Sequence, residues 1–61
     1  MSRILLTVVI KDDSEITEFE IMLKSFMPYC SGLAVEINGV SGKYEKSVKL
    51  IKKYKGEYII A

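Results

Sequence analysis

The chain has 61 residues, of which 49% are hydrophobic, and nine basic side chains against eight acidic ones give a net charge of +1. A chain of this length forms one small domain, residues 1–61, and buries only about 60% of its unfolded surface, so it gains little stability without a crosslink or a partner. Its single cysteine, Cys30, excludes an internal disulfide, and the lack of histidine excludes a Cys/His zinc site.

The N-terminal apolar run does not have the length of a membrane segment. Residues 4–10 are too few to span a bilayer, and acidic residues follow them instead of a small-residue cleavage site. The unpaired thiol of Cys30 fits a reducing compartment. We therefore expect a cytoplasmic protein that has no membrane partner.

The first predicted elements are a strand and a helix. Residues 3–10 are β-branched and apolar on both alternating faces, which is typical of a strand in a parallel sheet between layers of helices. Asp12, Asp13 and Ser14 then offer side-chain oxygens for a helix N-terminus, and Pro28 stands where a proline can end the helix. Spacings of three and four predict its apolar face. The residues on that face are Ile16, Phe19, Leu23, Phe26 and Met27.

The second half of the chain repeats this alternation. Residues 33–37 predict a second strand, residues 38–42 a loop, and residues 57–61 a third strand. The helix between the loop and the last strand carries lysines over most of its surface, and Gly56 stands where a C′ glycine would end it. The residues predicted on its apolar face are Tyr44, Ser47, Val48, Ile51 and Tyr54.

The order of elements is βαβαβ, which predicts an α/β fold with a three-stranded parallel sheet and right-handed crossovers. The simplest arrangement is strand order 3-2-1, a Rossmann-like half with both helices on one face. The other face then has nothing from this chain to cover it, although the first strand is apolar there too. We expect a partner on that face: the rest of a larger protein, a second copy or another subunit.

Residues 37–47, INGVSGKYEKS, cover the loop and the beginning of the second helix. They contain the glycines and the lysine of a phosphate-binding loop but not their spacing. A P-loop needs four residues between its glycines and a serine or threonine after its lysine. Here two residues separate Gly39 from Gly42, and Tyr44 follows Lys43. The Gly-x-x-Gly and the basic helix after it are also similar to the KH-type RNA-binding loop. A KH-like nucleic-acid-binding module is therefore one alternative, although a strand precedes the glycines here.

Three segments in order resemble the N-terminal part of the inverting, family-2-like glycosyltransferases of the GT-A fold. LLTVVIKDDSE at residues 5–15 resembles their opening strand and acidic turn. LKSFMPY at 23–29 looks like the end of their first helix, and GVSGKYEKSVKLIKKY at 39–54 is similar to their next loop and helix. The resemblance covers nearly the whole chain.

This resemblance implies that the chain is the N-terminal, nucleotide-sugar-binding half of such a transferase. The carboxyl ends of the first two strands would hold the nucleotide, as in other open α/β sheets. The residues implied there are Lys11, Asp12, Asp13, Asn38, Gly39, Ser41 and Gly42.

The resemblance also implies what these residues do not contain. The family's Asp-x-Asp, which holds manganese or magnesium, and its catalytic base lie beyond the third strand. We therefore expect no catalytic residue, no cofactor and no transfer activity from this chain alone, and a divalent metal only in a full-length family member. The alternative from another functional class is a catalytically empty binding or assembly module, a structural subunit of a larger complex.

Overall fold

The computed structural model describes residues 3–39 and 42–61, in which strands and helices alternate as predicted. The elements are β1 (Leu5–Ile10), α1 (Ile16–Phe26), β2 (Gly32–Ile37), α2 (Glu45–Lys53) and β3 (Glu57–Ile60). Short 3₁₀ turns at Asp13–Glu15 and Met27–Tyr29 flank α1. The second turn contains Pro28, which fits the prediction that the proline ends the helix.

The three strands form one parallel sheet, which confirms the predicted α/β class. They lie in the order β1-β2-β3, which has the same neighbours as 3-2-1 read from the other edge. The central strand is therefore β2, and β1 and β3 are edges. Val8 lies beside Val35 and Ile10 beside Ile37, so one face of the sheet carries adjacent aliphatic side chains.

Both helices pack on that aliphatic face, and one hydrophobic cluster joins them to the sheet. The buried members are Val8, Ile10, Phe19, Leu23, Leu33, Val35, Ile37, Leu50 and Ile51. One residue predicted on the helix faces is exposed, and one buried helix residue was not predicted there. Phe26, the last residue of α1, is 53% exposed, whereas Leu50 is buried.

The end of α2 differs from the prediction by one residue. Lys55 adopts the left-handed conformation (φ 57°), which is the position usually taken by a C′ glycine. The amide of Gly56 donates to the carbonyl of Ile51 (2.9 Å), and that of Lys55 donates to Lys52 (3.0 Å), which together form a Schellman motif. Gly56 is needed for another reason: a Cβ there would lie 2.9 Å from Leu33 Cδ2.

The opposite face of the sheet is open. Leu5 and Val9 of β1 are each 62% exposed, and Ile59 of β3 is 63% exposed. The side chains of β1 are apolar on both faces of the sheet, but only one of these faces is buried. Within residues 3–39 and 42–61, neither helix has the length and apolar composition that crossing a membrane requires.

Candidate functional site

The carboxyl ends of the strands bring together most of the residues that the resemblance implicates. The amide of Asn38, after β2, donates to the carbonyl of Ile10 at the end of β1 (2.9 Å). The amide of Gly39 donates to Ala61 after β3 (3.3 Å). The segments at residues 11–13 and 38–39 thus lie at one edge of the sheet, where open α/β sheets bind their ligands.

Asp13 connects this edge to α2. Its carboxylate accepts hydrogen bonds from the backbone amides of Lys46 (3.0 Å) and Ser47 (2.8 Å) and from the Ser47 hydroxyl (2.8 Å). Its own amide donates to the carbonyl of Lys43 (2.8 Å). Tyr44, at the N-cap position of α2, makes no side-chain cap, so Asp13 supplies from 34 residues away the acceptor that a local cap residue normally provides.

These contacts also set the charge state of Asp13. Partial burial of the carboxyl group acts to raise its pKa, but the hydrogen bonds from Ser47 and Lys46 outweigh this, and the pKa lies below its ordinary value of 3.8. The side chain is therefore an anion at neutral pH. It occupies the anion position at the start of α2, and the Lys46 and Ser47 amides are already bonded to it.

The other predicted residues of the first turn have local contacts as well. The carboxylate of Asp12 accepts from the amide of Ser14 (2.9 Å) and from the Ser14 hydroxyl, which caps the turn Asp13–Glu15. The amide of Lys11 donates to Glu15 (3.0 Å), and the Lys11 residue is exposed. Asp12 and Asp13 are half-buried, whereas Lys11, Ser14 and Glu15 are exposed.

The described residues of the second loop are Asn38, Gly39 and Gly42. Asn38 is exposed and Gly39 half-buried, and the amide of Gly42 donates to the carbonyl of Gly39 (3.2 Å). Gly42 has a φ of 72°, a conformation that favours glycine. Ser41 lies outside the described residues. Neither Ile37, the last residue of β2, nor Asn38 after it is acidic.

A second candidate surface is the face of the sheet opposite both helices, which we call the open face. Its strand residues are Leu5, Thr7, Val9, Gly32, Ala34, Glu36, Glu57 and Ile59. A shallow groove of about 630 Å³ crosses it. The groove is lined by Thr7, Ala34, Glu36, Glu57 and Ile59 of this face together with Val35, Lys52, Gly56 and Tyr58.

Sequence reasoning missed two features of these surfaces. It placed Ser47 on an apolar helix face without a partner, although a fully buried serine there signals a hydrogen bond to another element. It also did not place Glu36 and Glu57 on one surface, because only the strand register brings them to the same face. Among the described residues, no group of three or more His, Cys, Asp or Glu side chains is arranged to hold a metal ion.

Comparisons of the chain with protein-family models, with curated proteins and with solved structures gave no match.

Proposed function

We propose that this chain is a binding and assembly module that acts through its open face. The observation that carries the proposal is the exposure of Leu5, Val9 and Ile59, each above 60%, on the face opposite both helices. Parallel sheets occur almost only with both faces covered, because their strands are apolar on both sides. A layer from another polypeptide segment would cover the second apolar face of β1.

The energy available from such a cover is large relative to the stability of a small domain. Burying the remaining exposed parts of three aliphatic side chains contributes roughly 3–5 kcal/mol at about 25 cal/mol per Å². Small domains are stable by about 5–15 kcal/mol. A partner on the open face would therefore stabilise the fold as well as bind to it.

The proposal is compatible with the resemblance to glycosyltransferases. In that case the sheet is a Rossmann-like half in strand order 3-2-1, and the covering layer is the remainder of the transferase domain. The chain would contribute nucleotide binding and no transfer chemistry. As a structural subunit, it would use the same face for a separate partner.

A neutral amphipathic peptide tests the open face directly. The probe is a helical peptide of about 15 residues, roughly 22 Å long, with leucines on one face and glutamines elsewhere. We expect it to shift the amide resonances of Thr7, Val9 and Ala34 and of their neighbours on the face. The triple variant Leu5→Thr, Val9→Thr, Ile59→Thr should lose these shifts.

The matched control changes exposed apolar residues on α1. The double variant Ile21→Thr, Phe26→Thr replaces side chains that are 60% and 53% exposed but lie outside the sheet. It should bind the peptide as the original chain does. Shifts that map to α1 or α2, or that survive the triple substitution, would refute the proposed role of the open face.

Nucleotide binding at the carboxyl edge of the sheet is a second candidate. The hydrogen bond between Asn38 and Ile10 favours it, because it places the two implicated turns side by side. The Asp13 carboxylate already accepts three hydrogen bonds, so the remaining candidates are Lys11, Asp12, Asn38, Gly39, Ser41 and Gly42.

Titration with UDP and GDP tests this second candidate. Amide shifts should cluster at residues 11–13 and 38–39 and weaken in the variant Lys11→Ala but not in the control Lys24→Ala. Shifts confined to α2, and stronger ones with single-stranded RNA, would instead favour the KH-like alternative and refute a nucleotide site.

A further inference from the structure

The strand residues of the open face carry charge of one sign only. In the register of the sheet, Glu36 lies between Val9 and Ile59, and Glu57 lies beside Ala34. None of the strand residues of this face is basic. Within residues 3–39 and 42–61, neither Glu36 nor Glu57 forms an ion pair. Among the described residues, the strands of this face thus carry two carboxylates that have no ion pair, and Lys52 of α2 lines the same groove.

One half of the open face is low. At Gly32 and Ala34 the central strand lies beside Leu5 and Thr7 of β1, whereas Glu36 lies between Val9 and Ile59. The two small residues form a trough over the first half of β2, and the groove of about 630 Å³ includes Ala34. Such a trough accommodates the ridge of one helix better than a flat second sheet.

We infer that the partner segment is an amphipathic helix whose apolar stripe is flanked by lysine or arginine. The apolar stripe fills the trough at Gly32 and Ala34 against Leu5, and the basic side chains pair with Glu57 beside the trough and with Glu36 beyond it. The inference rests on the proposed role of the open face and names the chemistry of its occupant.

A second copy of this chain fits the open face less well. Two open faces packed against each other would bring the Glu36 and Glu57 carboxylates of both copies together without a basic strand residue from either sheet, and like charges in an interface are unfavourable. The exposed surface of α2 does not supply the helix either. Its exposed residues are all charged: Glu45, Lys46, Lys49, Lys52 and Lys53.

The test compares two peptides of equal length on the intact chain. One is the leucine and glutamine peptide described above, and the other has lysines in place of the glutamines that flank the leucine stripe. We expect the lysine peptide to bind roughly three- to tenfold more tightly, since exposed ion pairs contribute about 0.2–1 kcal/mol each. The advantage should shrink at high salt.

Charge reversal assigns this advantage to particular residues. The double variant Glu36→Lys, Glu57→Lys should remove the advantage of the lysine peptide while the glutamine peptide still shifts the open face. The control Glu18→Lys, Glu20→Lys makes the same change in net charge on α1 and should keep most of the advantage.

The outcomes separate this inference from the function on which it rests. Equal binding of both peptides at the open face, or an equal loss in the two charge variants, would overturn the inference and leave the binding face in place. Failure of both peptides to shift the open face would overturn both. Sedimentation of the chain alone as a dimer that Val9→Thr dissociates would show that a second copy is the occupant and overturn the inference.

Discussion

Asp13 and Ser47 are joined twice: one carboxylate oxygen of Asp13 accepts from both the amide and the hydroxyl of Ser47, each at 2.8 Å. Ser47 is fully buried, and the two residues lie 34 positions apart in the chain. This contact fixes the start of α2 against the turn that follows β1. The Asp13 carboxylate, which was predicted to bind a nucleotide, is therefore the cap of α2.

Removing this carboxylate should destabilise the fold. We expect Asp13→Ala to lower the free energy of unfolding by about 2 kcal/mol, because α2 loses its cap and the buried Ser47 hydroxyl loses its acceptor. Urea denaturation followed by circular dichroism measures the change. In a double-mutant cycle with Ser47→Ala, the two losses should not add, and strict additivity would contradict the coupling described above.

The same carboxylate should make stability depend on acid pH. Its pKa in the folded chain lies below 3.8, so the unfolded chain takes up the proton first on acidification. The contribution of Asp13 is therefore complete above the unfolded value and is lost as the pH falls through the lower folded value. Urea titrations from neutral pH downward should show the stability difference from Asp13→Asn shrinking below about pH 4. A difference that stays constant down to the lowest accessible pH would argue against an ionised cap.

Replacing Lys55 by glycine should stabilise the chain. Lys55 holds a φ of 57°, which costs a residue with a Cβ roughly 1 kcal/mol relative to glycine. We expect Lys55→Gly to raise the free energy of unfolding by about 0.5–1 kcal/mol. The matched change Lys49→Gly, in the middle of α2, should lower it by about 1 kcal/mol. Equal effects of the two substitutions would contradict the assignment of Lys55 as the C′ residue.

A methyl group at Gly56 should disturb the core. The added Cβ of Gly56→Ala would lie 2.9 Å from Leu33 Cδ2 and 3.0 Å from Ile51 Cγ2, and both side chains are buried. We expect a loss of about 1–3 kcal/mol, measured by thermal or urea denaturation. Leu33→Val should recover part of this loss in the double variant, because it removes one of the crowded carbons. A double variant no more stable than the sum of the single changes would show that crowding is not the cause.

The elements that the sequence predicts correctly are those with a local cause. The alternation of apolar residues predicts the strands and the three- and four-residue spacings predict the helices, because each pattern reflects which side of one element meets the core. Pro28 and the acidic turn at Asp12 act within a few residues as well. The parallel sheet follows from the order of elements, since a helix between two strands returns the chain to the same end of the sheet.

The candidate site was predictable in position but not in detail. The carboxyl ends of parallel strands meet at one edge, so the approach of residues 11–13 to Asn38 follows from topology alone. The capping role of Asp13 does not, because its donors belong to a helix that begins some thirty residues later. The end of α2 was not predictable in detail either, because Lys55 and not Gly56 takes the left-handed conformation, while Gly56 lies against Leu33.

The sequence by itself therefore determined the class of fold, the succession of its elements and the existence of two apolar faces on β1. Only the tertiary structure decided which face of β1 the helices cover, which carboxylate caps α2, and that Glu36 and Glu57 share the open face. The physical reason is the range of the forces involved. Periodicity and turn chemistry act along the chain, whereas strand register and packing join residues that are distant in sequence, and no local pattern records them.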